Sequence, residues 1–142
     1  MVGDKGVGDP VNPESWDGMN FRALLHENML LEIVVRGEFT PLLLQQIVRY
    51  VECTIEDVGP LAGLMLDLRQ SSAISIVRAT ALVETLSGFI RPMAVVFIWH
   101  QQHQIAQLMH HTLPRRDEIG YFTNHTDAWT YLLRRTDHDS TG

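Results

Sequence analysis

Four histidines lie close together in the second half of the chain: His100, His103, His110 and His111. Imidazole is a common zinc ligand, so these side chains could hold a metal ion if their ring nitrogens converged. His103 and His110 are roughly 10.5 Å apart along a helix axis, at about 1.5 Å per residue, whereas a zinc ligand lies about 2 Å from the ion. His100 and His103 are closer, but the segment HQQHQ offers no carboxylate or thiol beside them. We therefore predict no metal site and interpret the histidines as a solvent-facing side of a helix.

A nucleophilic site is also hard to find. Cys53 is the single cysteine, which excludes an internal disulfide and an all-cysteine zinc site. The Ser71-Ser72 pair lacks the G-x-S-x-G turn that presents a catalytic serine. The chain also has no glycine-rich loop of the kinds that cradle phosphates. We therefore predict that the protein is not an enzyme, has no catalytic residues and carries no cofactor.

Length, composition and charge bound the remaining functions. The chain has 142 residues, of which 45% are apolar, enough for one domain with an ordinary core. Its formal charge of −6 is concentrated towards the two ends: residues 1–20 carry −3, residues 137–142 carry −2 and residues 21–136 carry −1. The arginines of the middle region form no basic stripe. We therefore expect no nucleic-acid binding.

Compartment and domain limits follow from the same composition. The chain has no run of the ~20 apolar residues that a membrane-spanning helix needs, and residues 1–20 lack the apolar segment of a secretory signal. With one cysteine, a cytoplasmic protein that is not transmembrane is expected.

Residues 1–20 contain four glycines and two prolines without a period. We predict a disordered N-terminal tail over 1–20, a folded domain over 21–136 and a flexible C-terminal tail over 137–142.

Within 21–136 the apolar periodicity alternates between that of strands and that of helices. Thr40 and Pro41 predict a helix start, because threonine can cap free backbone N–H groups and proline at the first position loses no hydrogen bond. The predicted strands are 21–25, 30–39, 61–68, 93–99 and 118–122, and a helix follows each strand except the first. This ββαβαβαβα order indicates an α/β fold with a single mostly parallel five-stranded sheet, an antiparallel first strand and four helices.

The third and fourth strands carry polar residues at their carboxyl ends. Residues 67–72 leave the third strand and residues 99–103 leave the fourth, and each segment leads into a helix. Open α/β sheets generally bind ligands at this edge, and a helix N-terminus favours an anion or a polar head group. We expect the two segments to be neighbours at a binding edge. The alternative is that Ser71, Ser72 and Ser75 only cap the second helix.

Several short motifs occur in an order found in a known family. They are G-E-F-T (37–40), L-M-L-D-L-R (64–69), R-P-M-A-V-V (91–96), E-I-G-Y-F (118–122) and D-A-W-T-Y-L (127–132). Across about residues 21–135 the chain resembles the SpoIIAA-like family of the STAS-type superfamily. The resemblance implies a non-enzymatic module with a STAS-like fold, similar to that of CRAL-TRIO lipid-carrying domains.

The chain departs from that family at two places. Anti-sigma antagonists carry an aspartate-serine-serine-glycine motif at the start of the second helix, where this chain has Ser75-Ile76-Val77-Arg78. An aliphatic residue therefore stands at the phosphoserine position, which argues against a kinase-controlled switch. The tryptophan usual after the fourth strand is replaced by the segment 100–103, and Tyr131 stands where the last helix often has tryptophan.

The resemblance and the sheet edge together predict a pocket between the second and third helices and the sheet. Its apolar walls would be formed by Ile74, Val77, Trp99 and Leu108. Its polar rim would be formed by Ser71, Ser72, His100 and His103. The leading interpretation is a binding module for a small hydrophobic or lipid-like ligand. The alternative is a regulatory module that acts through a protein partner or as a homodimer. A histidine-dependent metal enzyme is a third, remote class.

Overall fold

A computed structural model of the chain describes residues 20–72, 76–98 and 118–141, together with Gln104 and Gln107. Its strands are β1 (Phe21–Leu25), β2 (Leu30–Glu38), β3 (Gly63–Ser72), β4 (Met93–Val96) and β5 (Ile119–Phe122). Its helices are α1 (Pro41–Val58), α2 (Ile76–Ser87) and α3 (His125–Thr141). Of the predicted helix between the fourth and fifth strands, only Gln104 and Gln107 are described, and both are helical. The other three predicted helices fall within the described ranges.

The five strands form one mixed sheet in the order β1-β2-β3-β4-β5. β1 and β2 form an antiparallel hairpin, and all the other neighbouring strands are parallel. This confirms the α/β fold and the mostly parallel five-stranded sheet with an antiparallel first strand. Because β2, β3 and β4 run parallel to one another, their carboxyl ends lie at the same edge of the sheet.

The larger core lies between the sheet and the helices α1 and α2. Alternate residues of β2, such as Leu31, Ile33 and Val35, reach this side because side chains alternate along a strand. The two helices add a stripe of buried residues spaced three or four apart. Those residues are Leu43, Ile47, Val51, Ala79, Leu82, Val83 and Leu86. Burial of these two helix faces holds α1 and α2 against the sheet.

The opposite face of the sheet is covered by α3, which lies over β3, β4 and β5. Its core is small: the buried members are Leu30, Met65, Ala94, Val96, Ala128 and Leu132. Since β3 and β4 are packed on both faces, their sequences are continuous apolar runs rather than alternating ones.

The ends of α1 follow the expected local chemistry. The side-chain oxygen of Thr40 accepts a hydrogen bond from the backbone N–H of Leu43 at 3.1 Å, and Pro41 occupies the first helical position. At the other end Gly59 has a φ of 91°, which favours glycine, and its N–H donates to the carbonyl of Ile55 at 2.8 Å. The predicted start of this helix is therefore confirmed, and its end is marked by Gly59.

Several boundaries differ from the sequence prediction, among them the end of β4, which lies at Val96 although a strand was expected up to residue 99. β3 does not end at Leu68 but continues to Ser72, because Gln70, Ser71 and Ser72 pair with the last residues of β2 after a register shift. The last helix, α3, begins at His125, where Asn124 accepts a hydrogen bond from the backbone N–H of Asp127 at 2.8 Å and acts as the cap. Within the described ranges, no helix has the length and apolarity needed to cross a membrane.

Replacing the cap of α1 should destabilise the domain. We expect Thr40→Ala to lower the free energy of unfolding by about 1 kcal/mol, because the N–H of Leu43 then loses its acceptor. Urea denaturation followed by circular dichroism measures this loss. Thr40→Ser keeps the hydroxyl and serves as the matched control, and an equal loss in both variants would contradict a capping role.

Candidate functional site

The carboxyl edge of the sheet holds the described part of the predicted site. Ser71 is buried, with 7% of its surface exposed, and its hydroxyl donates to the carbonyl of Leu68 at 2.7 Å. Its neighbour Ser72 is exposed and pairs with Glu38 of β2. Both serines thus belong to β3, and the hydroxyl of Ser71 is used within that strand. Ser72 is the serine whose side chain is open to solvent at this edge.

Val77 lies in the first turn of α2 and is 74% exposed, the highest exposure among the described large apolar side chains. The next residue, Arg78, donates from Nη1 to the carbonyl of Phe39 at 2.8 Å. This bond joins the start of α2 to the segment between β2 and α1. Ile98, two residues after β4, is 38% exposed. Serine, valine and isoleucine side chains therefore open to solvent around the ends of β3 and β4.

The space beneath this edge is occupied by core side chains. Phe39, Leu68, Ala79 and Phe97 have no exposed surface. The other residues predicted to form the pocket lie outside the described residues: Ile74, Trp99, His100, His103 and Leu108. The assignment of all eight residues to one ligand pocket stays a prediction.

A second polar group, which sequence reasoning missed, lies on the face of the sheet that carries α3. Asp67 in β3 is only 3% exposed. Its carboxylate accepts bonds from Nε and Nη2 of Arg69 at 3.0 and 2.8 Å, and from the backbone N–H of Arg69 at 3.0 Å. The hydrogen bond to Asp67 raises the pKa of Arg69 above its usual value. The arginine therefore compensates a carboxylate that is buried within the sheet.

Beside this pair, Glu32 of β2 bridges two histidines. Nε2 of His26, in the hairpin turn, lies 3.1 Å from Oε1 of Glu32, and Nε2 of His125, at the start of α3, lies 2.9 Å from Oε2. The indole of Trp129 contacts both rings, with centroids 4.6 Å from His26 and 6.0 Å from His125. Among the residues that the structure describes, no three histidine, cysteine or acidic side chains are placed to hold a metal ion. The group therefore ties α3 to the hairpin.

One buried polar atom lacks a partner in the described part of the structure. The hydroxyl of Tyr121 in β5 is buried and makes no hydrogen bond there. Its ring stacks near Phe97 with the centroids 6.4 Å apart. Burial raises the pKa of Tyr121 from 10.0 to about 12, because the charged phenolate is disfavoured away from water.

Breaking the pair between Asp67 and Arg69 should destabilise the sheet. We expect Arg69→Leu to lower the free energy of unfolding by about 2 kcal/mol, because it leaves a buried carboxylate with only a backbone donor. The double variant Asp67→Asn/Arg69→Leu should lose less than Arg69→Leu, since no uncompensated charge remains. Urea denaturation at neutral pH compares the two variants, and an equal or larger loss in the double variant would contradict this explanation.

Removing the hydroxyl of Tyr121 should not weaken the domain. We expect Tyr121→Phe to leave the free energy of unfolding unchanged or to raise it by up to about 1 kcal/mol, because an unpaired buried hydroxyl is removed. In the parent protein the raised pKa predicts full stability below pH 10 and a loss as the pH rises towards about 12. Thermal unfolding across this alkaline range should show a smaller loss in Tyr121→Phe. A clear destabilisation of Tyr121→Phe at neutral pH would mean that the hydroxyl has a partner.

Known proteins resemble this chain in structure more than in sequence. No protein-family model matches the sequence, and no curated protein matches it. An uncharacterised protein of the DUF3478 family from Shewanella loihica, with a SpoIIAA-like fold, is 15% identical, with a TM-score of 0.59 over 80% of this chain and 94% of that chain. An anti-sigma factor antagonist from Mycobacterium paratuberculosis is 16% identical, with a TM-score of 0.57 over the same shares of the two chains. At such low identity the likeness shows the fold, and the chain therefore has the SpoIIAA-like fold that the sequence resemblance predicts.

Proposed function

We propose that this protein is a non-enzymatic regulatory module that binds another protein at the carboxyl edge of its sheet. The fold supports this class, since one of the two similar structures is that of an anti-sigma factor antagonist, a protein named for opposing another protein. The recognition surface is formed by Ser72, Val77 and Ile98, which we call the carboxyl-edge surface. We place this activity in the cytoplasm on the composition of the chain.

The observation that carries the proposal is the 74% exposure of Val77. Single exposed apolar residues are ordinary on protein surfaces, but Val77 lies in the first turn of α2, a few residues after the end of β3 at the carboxyl edge. Burying an exposed valine in a partner contributes about 1.5 kcal/mol or more. The free N–H groups of the first turn of α2 add polar donors at the same place.

The sequence also indicates how this binding differs from that of anti-sigma antagonists. The resemblance aligns Ile76 and Val77 with the serines of their phosphorylated motif, and neither residue can accept a phosphate. We therefore propose constitutive binding, in which an aliphatic contact replaces a phosphorylation-controlled one.

A small hydrophobic or lipid-like ligand is the second candidate. The exposed apolar side chains Val77 and Ile98 favour it, because Val77 is itself a predicted wall residue and Ile98 directly precedes another, Trp99, in the chain. Against it, the core directly beneath the edge is filled by Phe39, Leu68 and Phe97. The third class, a histidine-dependent metal enzyme, has no support in the described residues, which hold no metal-binding group.

Substitution of Val77 by aspartate tests the partner proposal. Asp in the first turn of α2 is compatible with the helix dipole, so Val77→Asp should keep the stability of the parent protein. The matched control is Val58→Asp, which changes another exposed valine, 37% exposed, at the far end of α1. A partner is first captured from cells of the source organism, then purified and measured against each variant by isothermal titration calorimetry. We expect Val77→Asp to weaken binding about tenfold or more and Val58→Asp to leave it unchanged.

Native mass spectrometry of the gently extracted protein separates the two candidates. A co-purified lipid that is lost in Val77→Asp and retained in Val58→Asp would support the ligand and overturn the partner proposal. Equal partner affinity in the parent protein and in Val77→Asp would also overturn it.

A further inference from the structure

The outer edge of β1 offers unpaired backbone groups. Among the described residues β1 pairs only with β2, so it is an edge strand. The backbone carbonyl of Asn20 accepts from the N–H of Arg36 at 2.8 Å, and the N–H of His26 donates to the carbonyl of Leu30 at 3.0 Å. Residues of an antiparallel strand alternate between bonding inward and outward. The residues between these two bonds that direct their N–H and C=O groups outward are therefore Phe21, Ala23 and Leu25.

Beside this edge, α1 carries a second, largely exposed stripe, in which Tyr50 alone is half-buried and packs against the larger core. Its residues are Leu42, Gln45, Gln46, Arg49, Tyr50 and Cys53, spaced three or four apart as on one side of a helix. With Asn20 and Phe21 they line an open groove of about 630 Å³. Leu42 is 62% exposed and Cys53 is exposed as well. We call this side of α1 the outer stripe.

The outer stripe carries a positive charge near the middle of α1, and negative charges follow it at the end of the helix. Arg49 lies midway along the helix, while Glu56 and Asp57 lie at its last turn. All three are exposed and make no ion pair within the described residues. When two such helices lie side by side and antiparallel, the arginine of each helix lies near the acidic end of the other.

The packing of α1 over β1 determines where a two-fold axis between two copies of the chain would pass. The ring of Tyr50 lies over that of Phe21, with the centroids 5.8 Å apart. Ala23, the centre of β1, is about 6.6 Å further along the strand, which corresponds to about four residues of a helix. An axis through Ala23 therefore passes close to Cys53. Arg49 of one copy then faces Glu56 and Asp57 of the second copy.

We propose that two copies of this chain associate through antiparallel pairing of their β1 edges and of their outer stripes, giving one continuous ten-stranded sheet. Pairing along β1 satisfies the outward N–H and C=O groups of Phe21, Ala23 and Leu25. A two-fold interface uses the same patch on both subunits, and the self-complementary charges of α1 meet that requirement. The interface is separate from the carboxyl-edge surface and does not depend on the proposed function.

Two substitutions at Ala23 test the strand pairing. Ala23→Pro removes an outward N–H and leaves the bonds to β2 in place, whereas Ala23→Thr keeps the N–H and suits a strand. Sedimentation equilibrium over a concentration series should give a dimer for the parent protein and for Ala23→Thr. Ala23→Pro should weaken association about tenfold or more. Val77→Asp should remain dimeric.

Charge reversal tests the helix pairing without touching the strand. Arg49→Glu in one variant and Glu56→Arg/Asp57→Arg in another should each weaken self-association, because like charges then face each other. Mixing the two proteins should restore a one-to-one heterodimer, since every contact is again between opposite charges. A short bismaleimide should cross-link Cys53 to Cys53 in the parent dimer and lose yield in Ala23→Pro.

A parent protein that is monomeric across the series would overturn the proposal. A dimer unaffected by all of these variants would overturn it as well, because self-association would then use another surface. A mixture of the two charge-reversed proteins that fails to associate would refute the antiparallel arrangement of α1.

Discussion

The two central strands, β3 and β4, must be buried on both faces, and the positions of the other elements follow from that requirement. Their residues Leu64, Met65, Leu66, Ala94 and Val95 have no exposed surface. Helices α1 and α2 cover one face and α3 covers the other. The hairpin of β1 and β2 extends the sheet on one side. The polar end of β3 can then lie only at the edge of the sheet, which is where Ser72 and the start of α2 are found.

The same requirement explains the charged residues on the face that carries α3. The helix contacts β3, β4 and β5 and, through Leu30 and Glu32 of β2, also the hairpin, all on this face. Asp67 and Glu32 lie there, and each is neutralised or bonded locally, by Arg69 in one case and by two histidines in the other. Buried or half-buried carboxylates need such partners. The polar cluster is therefore explained by the partners that the two carboxylates find on this face.

Local signals in the sequence are sufficient for the five strands, for the three helices that the structure describes in full and for the arrangement of the sheet. Thr40 and Pro41 identify the start of α1, and the apolar runs of β3 and β4 identify strands packed on both faces. The end of β3 was missed because Arg69, Gln70 and Ser72 are polar, and their strand conformation depends on pairing with β2 after a register shift. The contact between Glu32 and His125 joins residues far apart in the chain. Alternation along β2 shows that Glu32 faces away from the larger core, but only the packing of α3 reveals its partner.

The two cores differ in size, and this difference sets an order of opening in the native state. Among the described residues, twenty buried ones join α1 and α2 to the sheet, whereas six form the cluster under α3. Segments with few buried contacts open at a lower free energy than the whole domain. The amides of α3 therefore exchange with solvent hydrogen through a partial opening that leaves α1 and α2 in place. In that opening the bond between His125 and Glu32 is lost, and the hairpin is released from α3 while the sheet persists.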